Sequence, residues 1–200
     1  MLVLASASPR RRELLAQVGY QFAVRPAHVA EDPLPGEDPI VYVTRLAREK
    51  AEAVYREMIA SGTGLGNRCL DGKSSLAVLG ADTTVALDNT ILGKPENAAD
   101  AARILRLLSG RTHRVITGVA LVTAEAAEVA AEATAVRFLA LSDEEIAAYV
   151  ATGEPMDKAG AYGIQGRAAR WIPRIEGCYF NVMGLPLALV CTMLESHGAA

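Results

Sequence analysis

Hydrophobic positions in the first part of the chain alternate between short continuous runs and helical spacing. Residues 2–5 form an apolar run that predicts a strand, and Pro9 opens a segment of helical spacing that closes at Gly19. Residues 21–25 predict a second short strand. Apolar side chains then recur every three or four positions over residues 40–59, which predicts a long amphipathic helix.

The central part of the chain combines a strong strand pattern with turn and helix signals. Residues 76–81 form a near-continuous apolar run that ends at Asp82. The segment after it predicts a hairpin that turns at Asp88 and Asn89. Residues 97–108 carry apolar side chains on one side, which predicts a helix.

The last part of the chain mixes strand and helix signals. Residues 114–123 and 134–141 predict two strands, and the Ala- and Glu-rich residues 124–133 predict the hairpin connection between them, although their composition also suits a helix. Ser142 and Glu145 have the spacing of a capping box at the start of a helix. The pattern then predicts a loop at 152–166, a strand at 171–179 and a helix at 184–195. This order favours a mixed α/β or α+β sheet over a strictly alternating Rossmann sheet.

Composition and charge narrow the class of protein. With 51% hydrophobic residues in 200, the chain can build a sizeable core, which excludes disorder. Lysine and arginine number 20 against 23 aspartate and glutamate, and the net charge of −3 gives no general attraction to nucleic acid or anionic membranes. No apolar stretch approaches the roughly 20 residues that span a bilayer. We therefore expect a cytoplasmic protein that binds neither nucleic acid nor membrane.

Several familiar sites are excluded by the motifs themselves. Three cysteines without a C-x-x-C pair support neither a disulfide framework nor a structural zinc site. The triplet Gly72-Lys73-Ser74 resembles the end of a P-loop, but the glycine required five residues earlier is Asn67. Neither an H-E-x-x-H zinc motif nor a G-x-S-x-G elbow is present, so hydrolysis by zinc or by a serine triad has little support.

Three consecutive arginines follow Ser8 and Pro9, in the first turn of the first predicted helix. Cations there face the positive end of the helix dipole, which disfavours each by about 0.3–1 kcal/mol. Free backbone N–H groups, a serine hydroxyl and forked guanidinium groups together make a site for phosphate oxygens. An ordinary capped helix with solvated arginines is the alternative, but three cations at the unfavourable end favour anion binding.

Other charged residues stand at positions typical of a site. Lys50 lies on the apolar stripe of the long helix, where it either meets a partner or covers the core with its stem. Asp82 follows a buried apolar run, where open sheets place catalytic groups, although a turn aspartate is the alternative. Gln165 offers both a donor and an acceptor to a nucleobase edge. With Glu31 and Lys94, this set suits a nucleoside triphosphate and a hard divalent cation.

Six segments in order resemble the motif set of the Maf family, a family of house-cleaning nucleoside triphosphate pyrophosphatases. They are Ser6-Ala7-Ser8-Pro9-Arg10-Arg11, Ala47-Arg48-Glu49-Lys50-Ala51, Gly80-Ala81-Asp82-Thr83, Gly93-Lys94-Pro95, Ala161-Tyr162-Gly163-Ile164-Gln165-Gly166 and Asn181-Val182-Met183-Gly184-Leu185-Pro186. The resemblance implies an elongated, inosine-triphosphatase-like fold, with a twisted mixed α/β sheet and a central cleft between two lobes. It also implies a single catalytic domain over residues 1–200. Residues 61–75, which are rich in glycine and serine, predict a flexible insertion that is longer than the linker usual in the family.

The resemblance further implies a role for each candidate residue. Asp82 would be the general base that takes a proton from the attacking water, and the bond between the α and β phosphates would break. Glu31 and Asp82 would hold a divalent metal cation, Mg²⁺ or Mn²⁺, and it stays open whether Asp82 is base, ligand or both. The phosphate-binding residues would be Ser8, Arg11, Lys50 and Lys94, and the residues for substrate choice Arg10, Thr83 and Gln165.

The last two motifs resemble the branch of the family that acts on dTTP and UTP. The expected activity is hydrolysis of these triphosphates, and of modified pyrimidine triphosphates, to the monophosphate and pyrophosphate. A septum-formation inhibitor that acts by binding and a 7-methyl-GTP pyrophosphatase are the alternatives, and a homodimer is a candidate assembly. Ala30 stands where an acidic residue often precedes the equivalent of Glu31, a departure that would weaken metal affinity.

Overall fold

The computed structural model describes residues 1–62 and 76–198, and in these residues it contains one mixed sheet of seven strands. The strands are β1 (Leu2–Leu4), β2 (Phe22–Val24), β3 (Ala77–Leu87), β4 (Thr90–Leu92), β5 (Thr112–Val122), β6 (Ala127–Arg137) and β7 (Arg174–Glu176). Their order is β2-β1-β3-β5-β6-β7, and β4 pairs with β3. β1 runs parallel to β2 and β3, whereas the other neighbours are antiparallel.

Six α-helices accompany the sheet in the described residues. They are α1 (Pro9–Gln17), α2 (Pro39–Ala60), α3 (Ala98–Leu108), α4 (Asp143–Val150), α5 (Tyr179–Val182) and α6 (Leu187–Ser196). Short 3-10 turns occupy Glu154–Asp157, Ala159–Ala161 and Arg167–Trp171. The predicted capping box of Ser142 and Glu145 is present at α4. Helices on a mixed sheet confirm the predicted α/β class.

The strand predictions in the middle of the chain are partly wrong. The strand does not end at Asp82, because β3 continues five residues further to Leu87 and pairs with β5 as far as Ala86. The hairpin after it is confirmed, since β3 and β4 pair across Asp88 and Asn89. Both of these residues have positive φ, 49° and 65°, as a type I′ turn requires.

Two predictions in the C-terminal half of the chain are also wrong. Residues 124–133 are neither a long connection nor a helix: β6 already begins at Ala127, and Ala127–Arg137 pairs with β5 throughout. Pairing on an existing strand thus outweighs the helical propensity of alanine and glutamate. The strand expected at 171–179 is only Arg174–Glu176, flanked by a 3-10 turn and by α5. The expected insertion at 61–75 lies outside the described residues, apart from its first two positions.

Helix α2 lies against β3 and β5 at unusually close range because two glycines face it. A Cβ on Gly80 of β3 would overlap the carbonyl oxygen of Ala47, and a Cβ on Gly118 of β5 would overlap that of Val43. The two glycines therefore allow the helix backbone to touch the sheet. This contact fixes the distance between α2 and the sheet, and with it the position of the α2 side chains relative to the strands.

One edge of β3 is only partly paired. β1 pairs with Ala77–Leu79 at one end of β3, and β4 pairs with Val85–Leu87 at the other. The residues between them have no strand on this edge within the described chain, and Asp82 is at their centre. Hydrophobic clusters fill the molecule at both ends of this gap, one around β1, α1 and α6 and the other around α3 and α4. The described residues include no helix long and apolar enough to cross a membrane.

Candidate active site

A cavity of about 580 Å³ opens at the gap in the β3 edge. Its walls come from the loop between β1 and α1, from the middle of β3, and from the segments around Glu31, Lys94, Lys158 and Met183. The volume is within the range of small-molecule sites in proteins, about 300–1,000 Å³. Because the predicted site residues come from distant parts of the sequence, their meeting in one cleft is a result of the fold.

Lys50 joins the two carboxylates of the cleft. Its Nζ lies 2.6 Å from Asp82 Oδ1 and 2.6 Å from Glu31 Oε1. The side chains of Lys50 and Asp82 are only 9% and 10% exposed, whereas Glu31 is 47% exposed. The contact follows from the close packing of α2, since Lys50 is one turn beyond Ala47 and Asp82 two residues beyond Gly80. The buried lysine therefore has the ionic partners that its burial requires.

The two carboxylates have opposite pKa shifts. Burial raises the pKa of Asp82 above its ordinary value, and the positive charges of Lys50 and Arg11 offset this effect only in part. Burial also acts to raise the pKa of Glu31, but the hydrogen bond and charge of Lys50, with Lys94 and Arg11, outweigh it, so that the pKa is lowered. Two acids with environments that separate their pKa values are typical of catalytic sites.

The donor set of the cleft fits a hard divalent cation. Lys50 contacts Asp82 through Oδ1 and Glu31 through Oε1, which leaves Asp82 Oδ2 for another partner and Glu31 Oε2 with only the exposed Lys94 near it. Mg²⁺ prefers such oxygen ligands, and it usually takes one or two carboxylates together with water and substrate phosphates. Lys94, 62% exposed and 3.7 Å from Glu31 Oε2, adds a cation at the mouth of the cleft. The described residues hold no cluster of three or more His, Cys, Asp or Glu side chains suited to a metal ion.

Arg11 is engaged by the protein at four acceptors. Its Nη1 donates to Ala81 O at 2.8 Å and to Ser6 Oγ at 3.2 Å, and its Nε donates to Gly184 O at 2.8 Å. Its Nη2 donates to Thr83 Oγ1 at 2.8 Å. Arg11 thus contacts the unpaired part of β3 through Ala81 O and Thr83 Oγ1. Four of its five N–H donors bond to the protein, and its role as a phosphate ligand stays a prediction.

A second group of charged residues, Arg10, Asp157 and Lys158, also lines the cleft. Lys158 Nζ donates to Glu154 O at 2.7 Å and contacts Asp157 Oδ1, and Arg10 Nη2 lies 3.8 Å from Asp157 Oδ2. Burial acts to raise the pKa of Asp157, but Lys158 and Arg10 lower it below its ordinary value. The sequence pattern predicted no role for Asp157 and Lys158, which stand two residues before the Ala161–Gly166 motif.

The remaining predicted residues divide between the cleft and the surface. Ser8 lines the cleft and caps α1, where its side chain accepts a hydrogen bond from Arg11 N at 3.4 Å. Arg10 and Thr83, predicted for substrate choice, also line the cleft. Gln165, predicted for the same role, is exposed and does not line it. The structure therefore brings together all the predicted site residues except Gln165.

Fold and site together define a class of protein. A mixed α/β sheet, interrupted at one edge, supports a cleft with two carboxylates, a buried lysine and further cations around it. Such a cleft suits a phosphorylated small molecule that is bound with a divalent cation. The chain matches the family model described as Maf-like protein over residues 1–197, and it belongs to the Maf family.

Proteins of three bacteria illustrate the similarity. The dTTP/UTP pyrophosphatase of Koribacter versatilis is 51% identical over 197 residues, which cover 98% of this chain and 94% of that protein. The dTTP/UTP pyrophosphatase of Aromatoleum aromaticum is 51% identical over 208 residues, with 98% and 95% covered. The protein of the same name from Moorella thermoacetica is 49% identical over 199 residues, with 98% and 95% covered.

Proposed function

We propose that this protein hydrolyses dTTP and UTP to the nucleoside monophosphate and pyrophosphate. The observation that carries the proposal is the buried Lys50 between Asp82 and Glu31, at the gap in the sheet edge. Relatives about half identical over nearly the whole chain bear the name of this activity. The proposed activity includes modified pyrimidine triphosphates, because the bond that breaks lies between the phosphates and is the same in all of them.

Asp82 is the general base in this proposal. A base works best when its pKa is near the working pH, and burial raises the pKa of Asp82 toward that range. Lys50 keeps the carboxylate in place and ionised by its contact with Oδ1. Asp82 Oδ2, the oxygen that Lys50 does not contact, would accept the proton of an attacking water. The same oxygen is the one available to a cation, so whether Asp82 acts as base, as ligand or as both stays open.

Glu31 and Asp82 are the residues that would hold a divalent cation, Mg²⁺ or Mn²⁺. When bound, the cation neutralises charge on the phosphates and on the leaving pyrophosphate. Lys94 and Lys50 stand around the same carboxylates and contribute positive charge from the protein. Ser8, at the start of α1, adds a hydroxyl donor to this anion site. Backbone donors contribute less here than at most helix N-termini, because Pro9 has no N–H and the N–H groups of Arg11 and Arg12 bond to Ser8.

Arg10 and Thr83 are positioned to take part in substrate choice, because both line the cleft. Arg10 is one-third exposed and is oriented by Asp157, so its guanidinium retains donors for the substrate. The assignment of Gln165 to substrate choice stays a prediction. From its exposed position it would have to reach the substrate by a movement of the turn between Gly163 and Gly166.

A panel of triphosphates tests the proposal. The purified protein is incubated with Mg²⁺ and dTTP, UTP, CTP, GTP or 7-methyl-GTP, and both nucleotide and phosphate products are identified. We expect monophosphate and pyrophosphate from dTTP and UTP, at rates well above those from the other substrates. A preference for 7-methyl-GTP would assign the protein to another branch, and binding without turnover would support a regulatory protein.

We also propose that the protein acts in the cytoplasm, where triphosphate pools are used for nucleic acid synthesis. A homodimer stays a prediction. Sedimentation of the purified protein decides between monomer and dimer, and it is independent of the assignment of the active site.

A further inference from the structure

A chain of buried polar groups runs from the cleft into the sheet. Thr83 Oγ1 lies 2.9 Å from Thr117 Oγ1, on the neighbouring strand β5, and Thr117 is fully buried. Thr117 Oγ1 in turn donates to the backbone oxygen of Asn181 at 3.1 Å. With the hydrogen bond from Arg11 to Thr83, four residues from four separate segments form one continuous chain.

These hydrogen bonds must run in one direction, because each threonine hydroxyl has a single proton to donate. If Thr117 donates to Asn181 O, then Thr83 must be the donor in the contact between the two hydroxyls. The opposite direction would leave Thr83 to donate to Gly184 O, which is 3.5 Å away and already accepts from Arg11 at 2.8 Å. A distance of 3.5 Å is too long for a good O–H···O hydrogen bond. The order from Arg11 through Thr83 and Thr117 to Asn181 is therefore favoured.

This order decides what Thr83 can offer to a ligand. Its proton is directed to Thr117, and one of its two lone pairs accepts from Arg11. The remaining lone pair makes Thr83 a hydrogen-bond acceptor only. Thymine and uracil present an N–H at N3, which an acceptor can receive, whereas cytosine presents a lone pair at N3.

We propose that Thr117 is a positioning residue for substrate choice, which holds the Thr83 hydroxyl as an acceptor and so favours thymine and uracil over cytosine. The inference rests on the proposed function, because it assumes that the base reaches Thr83 in the cleft. Thr117 acts only through Thr83. Its hydroxyl is fully buried and has no direct part in the reaction.

The experiment replaces Thr117 by valine, which has the same shape but no hydroxyl, and by serine, which keeps the hydroxyl. In Thr117→Val the Thr83 proton loses its acceptor and becomes available to the N3 lone pair of cytosine. We expect the ratio of kcat/KM for dTTP to that for CTP to fall by about five- to tenfold, the effect of one misdirected hydrogen bond. Thr117→Ser should keep the ratio of the wild type.

Val122→Ala is the matched control for a purely structural effect, because Val122 is buried on the same strand and does not line the cleft. It should lower Tm and leave the ratio unchanged. An unchanged ratio in a folded Thr117→Val protein, or an equal loss of the ratio in Thr117→Ser, overturns the inference while the proposed function stands.

Binding of non-hydrolysable α,β-imido analogues of dUTP and CTP separates the two proposals. If the wild type binds the dUTP analogue more tightly but hydrolyses neither triphosphate, the proposed function is wrong, and the affinity ratio still tests Thr117. A wild type with equal affinity for both analogues and equal kcat/KM for dTTP and CTP contradicts the role of Thr117. For any other behaviour of the wild type, the ratio of kcat/KM for dTTP to that for CTP in Thr117→Val shows whether Thr117 has the proposed role.

Discussion

Lys50 is a buried cation held between two carboxylates, each of which lies 2.6 Å from its Nζ. Those carboxylates belong to a loop and to a strand, and only the packing of α2 on the sheet brings them to the lysine.

The first prediction concerns the stability that Lys50 provides. Lys50→Met leaves Asp82 buried without its nearest positive charge, which should lower the free energy of unfolding at neutral pH by about 3 kcal/mol. The loss should shrink in acid, where Asp82 becomes protonated. Urea denaturation at both pH values measures it.

Lys94→Met is the control, because Lys94 also contacts Glu31 but is exposed, and an exposed ion pair contributes at most about 1 kcal/mol. Equal losses for the two variants would show that the burial of Lys50 has no energetic consequence.

His113 gives a second prediction, on pH and stability. It is buried beside Phe138 and Tyr162, with Nε2 2.8 Å from the Tyr162 hydroxyl, and burial lowers its pKa to about 4. The unfolded chain, with a pKa of about 6.5, takes up a proton that the folded protein resists, so this contribution to stability is lost as the pH falls. The loss between about pH 7.5 and about pH 4 should be about 3 kcal/mol. His113→Phe should flatten this part of the stability curve, and a curve as steep as that of the wild type would contradict the assignment.

Arg11 and Gln165 mark the limit of interpretation at the residue scale. The arginines in the first turn indicated an anion site at the start of α1, and Ser8, Arg10 and Arg11 all line the cleft, although anion binding itself stays a prediction. That Arg11 is held by Ala81, Thr83 and Gly184 could not be predicted, because those acceptors lie 70 or more positions away in sequence. The exposure of Gln165 could not be predicted either, because its glycine-rich motif has no periodic pattern of buried and exposed positions.

At the scale of elements, the contact between α2 and the sheet determines the geometry of the site. Gly80 and Gly118 let the helix approach until its backbone carbonyls touch the strands. Asp82 and Gly118 are also direct partners in the β3–β5 ladder, so this close contact lies beside the carboxylate that we propose as the base. A change in the distance between α2 and the sheet would therefore move Lys50 relative to Asp82.

Gly118→Ala tests this packing. The added Cβ would overlap the carbonyl of Val43, and such overpacking typically costs about 1–3 kcal/mol. We expect a loss of unfolding free energy near the upper end of that range, and a lower kcat from the displaced helix. Gly93→Ala, whose Cβ would meet no atom within 4 Å, should leave stability nearly unchanged. Similar stabilities for both variants and the wild type would show that the helix can move away freely.

Most elements could be predicted from the sequence, and the errors have a common cause. Strongly periodic segments such as α2 and α3, and the turn at Asp88 and Asn89, were found at nearly their observed positions. The prediction that β3 ends at Asp82 was wrong because pairing with β5 extends a strand through polar residues. Pairing with β5 also makes residues 127–133 part of β6. Long-range pairing of this kind leaves no local signal in the sequence.

At the scale of the whole molecule, the site depends on a gap that two short strands leave in the sheet. β1 covers one end of β3 and β4 the other, so that the strand centre faces a cleft while its opposite edge is paired to β5. The sequence indicated a carboxylate at the end of a strand, and the structure places it where the partner strands end. Both arrangements place at a cleft a side chain whose position is fixed by a rigid sheet.

Removal of metal tests the whole arrangement. We expect chelation of divalent cations to abolish hydrolysis of dTTP, and added Mg²⁺ to restore it. Tm should change little, because Glu31 and Asp82 keep Lys50 as their partner when no cation is present. Full activity in the chelator would contradict the assignment of the two carboxylates to a cation.

The most direct test of the central claim is hydrolysis of dTTP by Asp82→Asn compared with the wild type. The wild type should release dTMP and pyrophosphate in equal amounts. The variant should keep its fold, since asparagine has the same shape, but lose roughly 10²–10⁴ in kcat as a general base is removed. Near-normal turnover by a folded Asp82→Asn protein, or dTDP and phosphate as the products of the wild type, would contradict the account.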